Sequence, residues 1–216
     1  MTENIKDIAI VGVGGLGKET AVLIHQINQV KLMWNVVGFY DDAVAVGKKV
    51  TGHLVLGNVE ELNKVEYPLC VVVAIGDPVV KSKIVHRLSN AKLNFPVLIH
   101  PSAVVGLNVR MGTGSVVTAG CRLTVDIEIG EHVLLNLNTT VGHDVEVGNF
   151  SSVMPGVHLS GNVTVGESVL IGTGASILQH VNIGDDAIVG AGAVVNRSVK
   201  EGITVAGVPA RSIFKK

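Results

Sequence analysis

Aromatic residues make up only 3% of this 216-residue chain, and it holds just two cysteines and six prolines. Cys70 and Cys121 stand far apart, so they form neither a metal spacing nor a disulfide framework, which fits a reducing compartment. Charged residues are few, at 16%, with a formal net charge of −1 and no run of Lys or Arg. Binding to a phosphate backbone needs a basic patch, so a nucleic-acid partner is not expected. No apolar stretch approaches the roughly 18 residues of a membrane-spanning helix. The opening segment MTENIKDIAIVGVGG has neither a basic leader nor a cleavage-site pattern, and a cytoplasmic location is expected. No histidine forms a ligand spacing with a carboxylate or cysteine, so no metal is expected.

What is abundant is aliphatic residues and glycine: 47% of the chain is hydrophobic and 26 residues are Gly. Stepping by six from Ile99 gives Val105, Met111, Val117, Leu123, Ile129 and so on to Ile183, Val189 and Val195, every one aliphatic or Met. The position four residues further on is small or β-branched throughout, from Ala103 to Val199, with Cys121 and Ser151 among its members. Glycine often follows the aliphatic, as at Gly112, Gly142 and Gly166. A period of six matches neither an α-helix nor a simple hairpin sheet. It matches short strands joined by tight turns, three hexapeptides making one 18-residue coil, with residues 18 apart stacked about 4.8 Å from one another. The expectation is a parallel β-helix of roughly five coils between residues 99 and 195, within a domain of residues 96–216 that ends in a C-terminal tail.

Residues 1–95 read differently. Ile8–Val11 is a buried-strand run. It is followed by Gly12-Val13-Gly14-Gly15-Leu16-Gly17 and a helical stretch from Lys18 to about Asn28. Further strands are expected at Val36–Tyr40, ending in Asp41-Asp42, and at Leu69–Ile75, the latter followed by Gly76-Asp77-Pro78 and a helix to about Ser89. This is a small Rossmann-like α/β domain. Its glycine-rich turn, between strand and helix, offers amides to a phosphate. On the residues alone three uses stand open: a nucleotide-sugar site, an NAD(P) site, or glycines serving packing only. Asp41 and Asp42 sit where they can meet ribose or base donors, or simply form a solvated turn.

Taken together, GVGGLGKE, VVGFYDD, VAIGD, IHPSAVVG, LNTTVGHD and GVPAR resemble the sugar-nucleotide acetyltransferases of the PglD/NeuD type over nearly the whole chain. That resemblance implies a left-handed β-helix, acetyl-CoA as co-substrate, a nucleotide-linked amino sugar as acceptor, and a homotrimer with active sites between neighbouring helices. It implies that His143 is the general base, that Asp144 orients its imidazole, and that the Gly161 amide holds the acetyl carbonyl. Thr173, Ala191, Val208 and Pro209 would line the CoA path, with Arg211, Lys215 or Lys216 near its phosphates. Gly12, Gly14, Gly15, Leu16, Gly17, Asp41 and Asp42 would serve the nucleotide, and Asn136 and Asn138 the acceptor or the subunit interface. Many family members carry histidines where this chain has Leu16 and Ser152.

An imidazole, with an ordinary pKa of about 6.5, suits proton uptake near neutrality. His143 is also the only histidine followed directly by a carboxylate. The expected activity is therefore N-acetylation of a nucleotide-activated amino sugar by direct transfer. Cys121, at an inward position, is unsuited to a covalent acyl-enzyme. O-acetylation of a sugar hydroxyl is the nearest alternative, and a non-catalytic nucleotide-binding β-helix protein the alternative of another class.

Overall fold

The computed structural model describes residues 5–213, and the chain divides into two compact units between Pro96 and Val97. In the first unit, β1 (Lys6–Val11) leads into α1 (Gly15–Val30) and β2 (Trp34–Tyr40). Then come β3 (Lys49–Val50), β4 (His53–Gly57), a 3-10 turn (Val59–Lys64), β5 (Leu69–Val73), α2 (Pro78–Arg87) and β6 (Leu93–Asn94). The sheet order is β3-β4-β2-β1-β5-β6, parallel except for the β3–β4 pair. β1 and β5 are near-continuous aliphatic runs because a central parallel strand is covered on both faces. Ala9 and Val11 pack with Leu62, Leu69, Val71 and Val73 on one face, and Ile8 and Ile10 alternate to the other. The two helices start where the sequence changes from apolar run to turn residues. The Asp77 side chain caps α2 by accepting from Val80 N at 2.9 Å, with Pro78 in its first turn.

The second unit is a parallel β-helix. Its strands are mostly two residues long, and each pairs with the strand 18 residues away: Val141 with Leu159, Leu159 with Ile177, Ile177 with Val195. Three faces result. The first carries Val117, Leu135, Val153 and Ile171; the second Leu123, Val141 and Leu159; the third Ile129, Val147 and Val165. In the first two coils the second and third faces are joined without a break, because strands Val104–Met111 and Arg122–Ile129 run paired around the corner. Inward aliphatics from all faces form one core, with Cys121, Val145, Val163, Ala175 and Ala193 filling the corners. Each corner has one residue at positive φ per coil; beside His143 the row is Asn108, Asp126, Asp144, Asn162 and His180. Four of these five are Asn or Asp, the non-glycine residues that best tolerate that region.

Two details depart from strict repetition. Ile99 and Val105, inward by period, are 38% and 40% exposed, since the first coil has a stacked neighbour on one side only. At the other end the register shortens: Ile183 meets Val199 and Ile188 meets Thr204, steps of 16, and Val199 takes an inward aliphatic place on the third face. The chain then reverses, and Arg211–Ser212 pairs antiparallel with Thr204–Ala206.

Candidate active site

His143 projects from the corner between the second and third faces, its side chain 59% exposed. Its Nδ1 lies 2.7 Å from Asp144 Oδ2. The positive φ of Asp144, 56°, turns that carboxylate back along the corner toward the ring of its own neighbour. A carboxylate on Nδ1 fixes the tautomer that leaves Nε2 as the acceptor, and it stabilises the imidazolium once a proton arrives. Nε2 faces the coil above. A Cβ built on Gly161 would stand 2.5 Å from Nε2, so only glycine lets the backbone stack on the imidazole. The Gly161 carbonyl accepts from His180 N at 3.2 Å, whereas its own N–H meets no acceptor among the described residues. An N–H left open beside an imidazole is free to donate to a bound oxygen.

Some turn amides are closed by side chains and others are open. On the corner between the third and first faces two are closed in alternate coils, Glu131 N by Asn149 Oδ1 and Glu167 N by Asp185 Oδ1, both at 2.8 Å. Leu137 N is closed by Asn136 Oδ1 at 2.7 Å. Thr173 and Ala191, stacked on the corner between the first and second faces, keep theirs open among the described residues. Val208 and Pro209, joined by a cis peptide bond, follow on that corner, where the flanking Gly207 and Ala210 bond Val194. Asn136 and Asn138 lie lower on it: Asn136 is buried, and Asn138, at φ 59°, sets its side-chain oxygen over Gly120. Within one chain, then, His143, Asp144 and Gly161 come together on one corner. The residues expected to meet CoA and the two asparagines stand on another.

In the α/β unit the glycines divide by task. Gly12, at φ 97°, makes the turn after β1, and a Cβ on Gly17 would sit 2.0 Å from the Gly12 carbonyl oxygen, so Gly17 is what lets α1 approach β1. Gly14 and Gly15 face open space. The N-terminus of α1 has no side-chain cap and no acidic residue in its first turn, which leaves its amides available to an anion. Leu16 is half-buried, and its carbonyl accepts from the Thr20 hydroxyl. Asp41 holds the glycine turn itself, Oδ2 accepting from Val13 N at 3.0 Å and Oδ1 from Ala43 N at 2.9 Å. Asp42 accepts from Val59 N and pairs with Arg87 at 2.8 Å. That backbone bond, then the guanidinium, holds its carboxyl below the usual range. Both of its oxygens are therefore engaged within the fold.

Models of two families match the chain: the PglD N-terminal domain over residues 7–88 and the bacterial transferase hexapeptide (six repeats) over residues 162–197. The acetyltransferase domain of PglB from Neisseria gonorrhoeae FA1090 is 33% identical and superposes with a TM-score of 0.90, over 96% of this chain and 100% of that one. A histidine-to-asparagine variant of perosamine N-acetyltransferase from Caulobacter crescentus, solved with CoA and GDP-perosamine, is 31% identical over the whole of both chains, with a TM-score of 0.87. This chain belongs to the PglD-type sugar acetyltransferases. The UDP-N-acetylbacillosamine N-acetyltransferase of Bacillus subtilis (strain 168) is 36% identical over 119 residues, and the match spans about half the length of each chain, 53% of this one and 52% of the relative.

As in that family, the helix is a left-handed parallel β-helix of hexapeptide repeats. In this PglD-type chain Ser152, where many members have histidine, is fully buried on the first face rather than at the His143 corner. Cys121 is fully buried with its thiol donating to backbone carbonyls, and burial pushes its pKa up, so it is no nucleophile. Among the described residues no His, Cys, Asp and Glu cluster could hold a metal, and no helix is long and apolar enough to cross a membrane. Arg197 and Lys200 belong to no motif in the sequence. They line a cavity of about 330 Å³ with Arg211 at the end of the β-helix. The shortened last coil had hidden their register. Lys215 and Lys216 lie outside the described residues.

Proposed function

We propose that this protein transfers the acetyl group of acetyl-CoA to the amine of a nucleotide-linked amino sugar, with His143 as general base. The observation that carries this is the His143–Asp144 pair, 2.7 Å apart, seated beneath a glycine whose amide is open. The acceptor amine attacks the thioester carbonyl carbon, and the Gly161 N–H stabilises the oxyanion that forms. Nε2 of His143 takes the proton from the attacking nitrogen while Nδ1–H stays bonded to Asp144. Collapse expels the CoA thiolate, which takes a proton from the imidazolium. An acetamide and free CoA result, with no acyl-enzyme.

The names of the relatives support this reading: the Neisseria domain also has a structure in complex with acetyl coenzyme A, and the Caulobacter enzyme was solved with CoA and GDP-perosamine. The separation of His143 from Thr173, Ala191 and Val208 on different corners supports a homotrimer, each groove closed by two copies. CoA would run up the Thr173–Ala191–Val208–Pro209 corner toward Arg197, Lys200 and Arg211. The nucleotide's phosphates would sit on Gly14, Gly15 and the start of α1. Both substrates are cytoplasmic metabolites, and we place the reaction in the cytoplasm.

The test is thiol release from acetyl-CoA against a panel of UDP-, dTDP- and GDP-linked amino sugars, with hydroxyl-only sugars as the second arm. Release with an amine acceptor and loss of that release in His143→Ala is the expected result. Release only with hydroxyl acceptors would make the enzyme an O-acetyltransferase. Release with neither would reduce it to a binding protein.

A further inference from the structure

The charges of the second unit are segregated along the chain. Residues 97–195 carry two basic side chains, Arg110 and Arg122, against eight acidic ones, a net −6. Residues 196–216 carry five basic side chains against Glu201 alone, a net +4, with Lys215 and Lys216 outside the described residues. The three described cations of that segment, Arg197, Lys200 and Arg211, line the cavity of about 330 Å³ at the end of the β-helix, and all three are exposed. The floor of that cavity is apolar: Val195, Val199 and Val205 are the last members of the core. Two isoleucines that belong to no motif stand exposed at the same end, Ile203 at 37% and Ile213 at 52%. Ile213 N donates to the Thr204 carbonyl at 2.8 Å, which continues the ladder of Arg211–Ser212 and sets Ile213 next to Ile203–Thr204. An acidic solenoid thus ends in aliphatic side chains set among cations.

We propose that this end of the protein docks on an anionic membrane surface, with Arg197, Lys200 and Arg211 toward lipid phosphates and Ile203 and Ile213 between the headgroups. This goes beyond the transfer reaction and does not rest on it. Cations beside exposed aliphatics are the two signals that together hold a protein on a bilayer without a spanning segment. No helix among the described residues is long and apolar enough to cross one, so the association is peripheral. A nucleic acid is a poorer occupant, because no aromatic side chain lines the cavity to stack a base. A small free anion is poorer too, since none of the three cations is buried and an ion pair in water is weak. A lipid surface meets all the cations at once. It also repels the acidic body, which turns the basic end toward it.

The experiment is co-sedimentation of the full chain with vesicles of phosphatidylcholine alone and of phosphatidylcholine mixed equally with phosphatidylglycerol. Each is run at low and high salt, with and without CoA. Binding to the mixed vesicles only, weakened by salt, is the expected result. Lys200→Gln should weaken it about 5-fold, the contribution of one cation near an anionic leaflet. Ile213→Ser should weaken it about 3-fold, since a side chain that moves from half-exposed to headgroup depth gains less than one buried in a core. Lys48→Gln removes the same charge from an exposed site of the α/β unit and should leave binding unchanged. Saturating CoA should leave the protein on the vesicles, because the isoleucine contacts are untouched by it. Binding to neither vesicle, equal binding to both, or an equal loss in Lys48→Gln would overturn the proposal. So would release by CoA, which would give the cations to the co-substrate. A loss in Lys200→Gln with none in Ile213→Ser would overturn it as well, leaving a general polyanion site.

Discussion

The two units solve the same problem, covering backbone and aliphatic side chains, with opposite use of repetition. In the α/β unit every strand has its own register, including irregularities at Ile8/Ala9 and Phe39/Tyr40, and each loop is held by its own side chain. Asp41, Asn58, Asp77 and Asn90 each cap or clamp one specific turn. In the β-helix one solution recurs every 18 residues, and a side chain bonds its own counterpart one coil away: Asn108 to Asp126, Asn149 to Glu167, Thr140 to His158. The lesson is where function can be housed. A repeat gives every coil the same turn amides, so what distinguishes one coil from the next is the side chain set beside them, as His143 is set beside Gly161.

The comparison predicts that chemistry and stability separate in the repeat. His143→Ala should lower kcat by roughly 10²–10⁴-fold, with KM for acetyl-CoA and the melting temperature little changed, because the residue is an exposed corner. Near-wild-type turnover of the alanine variant would remove His143 from the mechanism.

Core substitutions come next in size. Ile171, fully buried in the β-helix, and Leu62, fully buried in the α/β unit, should each cost about 2–5 kcal/mol on truncation to alanine. Both α-helices of the described residues belong to the first unit, so its loss is followed by the helical circular-dichroism band. Ile171→Ala should leave that band's transition in place and Leu62→Ala should lower it. A joint downward shift in both variants would show that the units unfold as one.

A third test uses Lys81, buried on α2, whose pKa burial lowers to about 7. Above that value the folded chain sheds a proton that the unfolded chain keeps until near the ordinary lysine value of 10.5. Stability therefore rises with pH across that window, and the charge penalty is fully felt below it. Lys81→Met should flatten the rise in melting temperature between pH 7 and 9, a difference of a few degrees. A slope unchanged in the variant would assign it to another group.

The smallest effect belongs to Arg87, which ties Asp42 and Glu60 together at 2.8 Å each on the surface of the α/β unit. Arg87→Ala should cost about 0.2–1 kcal/mol, less at high salt, by chemical denaturation.

The hexapeptide period made the β-helix and its 18-residue stacking legible in the sequence, because each inward position is under the same steric demand. The Gly12–Gly17 turn and both helices were legible for a local reason, the switch from apolar run to glycine or Asp-Pro. Short edge elements were not: Lys49–Val50, the 3-10 turn and Leu93–Asn94 are two to six residues with no period to read. Nor was the two-residue contraction of the last coil, since Val199 satisfies both the small-residue position and the inward one. At the site, the His143–Gly161 stacking followed from counting by 18. That Asp42 is bound to Arg87, 45 positions away, did not, because tertiary ion pairs leave no local trace.

The antiparallel return of Arg211–Ser212 onto Thr204–Ala206 has a consequence for growth. A coil of parallel strands is an open-ended template: its last rung offers the same unpaired edge that the first rung needs, so copies could add end to end as a filament. Reversing one strand changes the hydrogen-bond pattern at the rim of the first face, and the 16-residue step displaces the inward row, so an incoming first coil meets a mismatched edge there. The solenoid thus carries its own chain terminator on the first face.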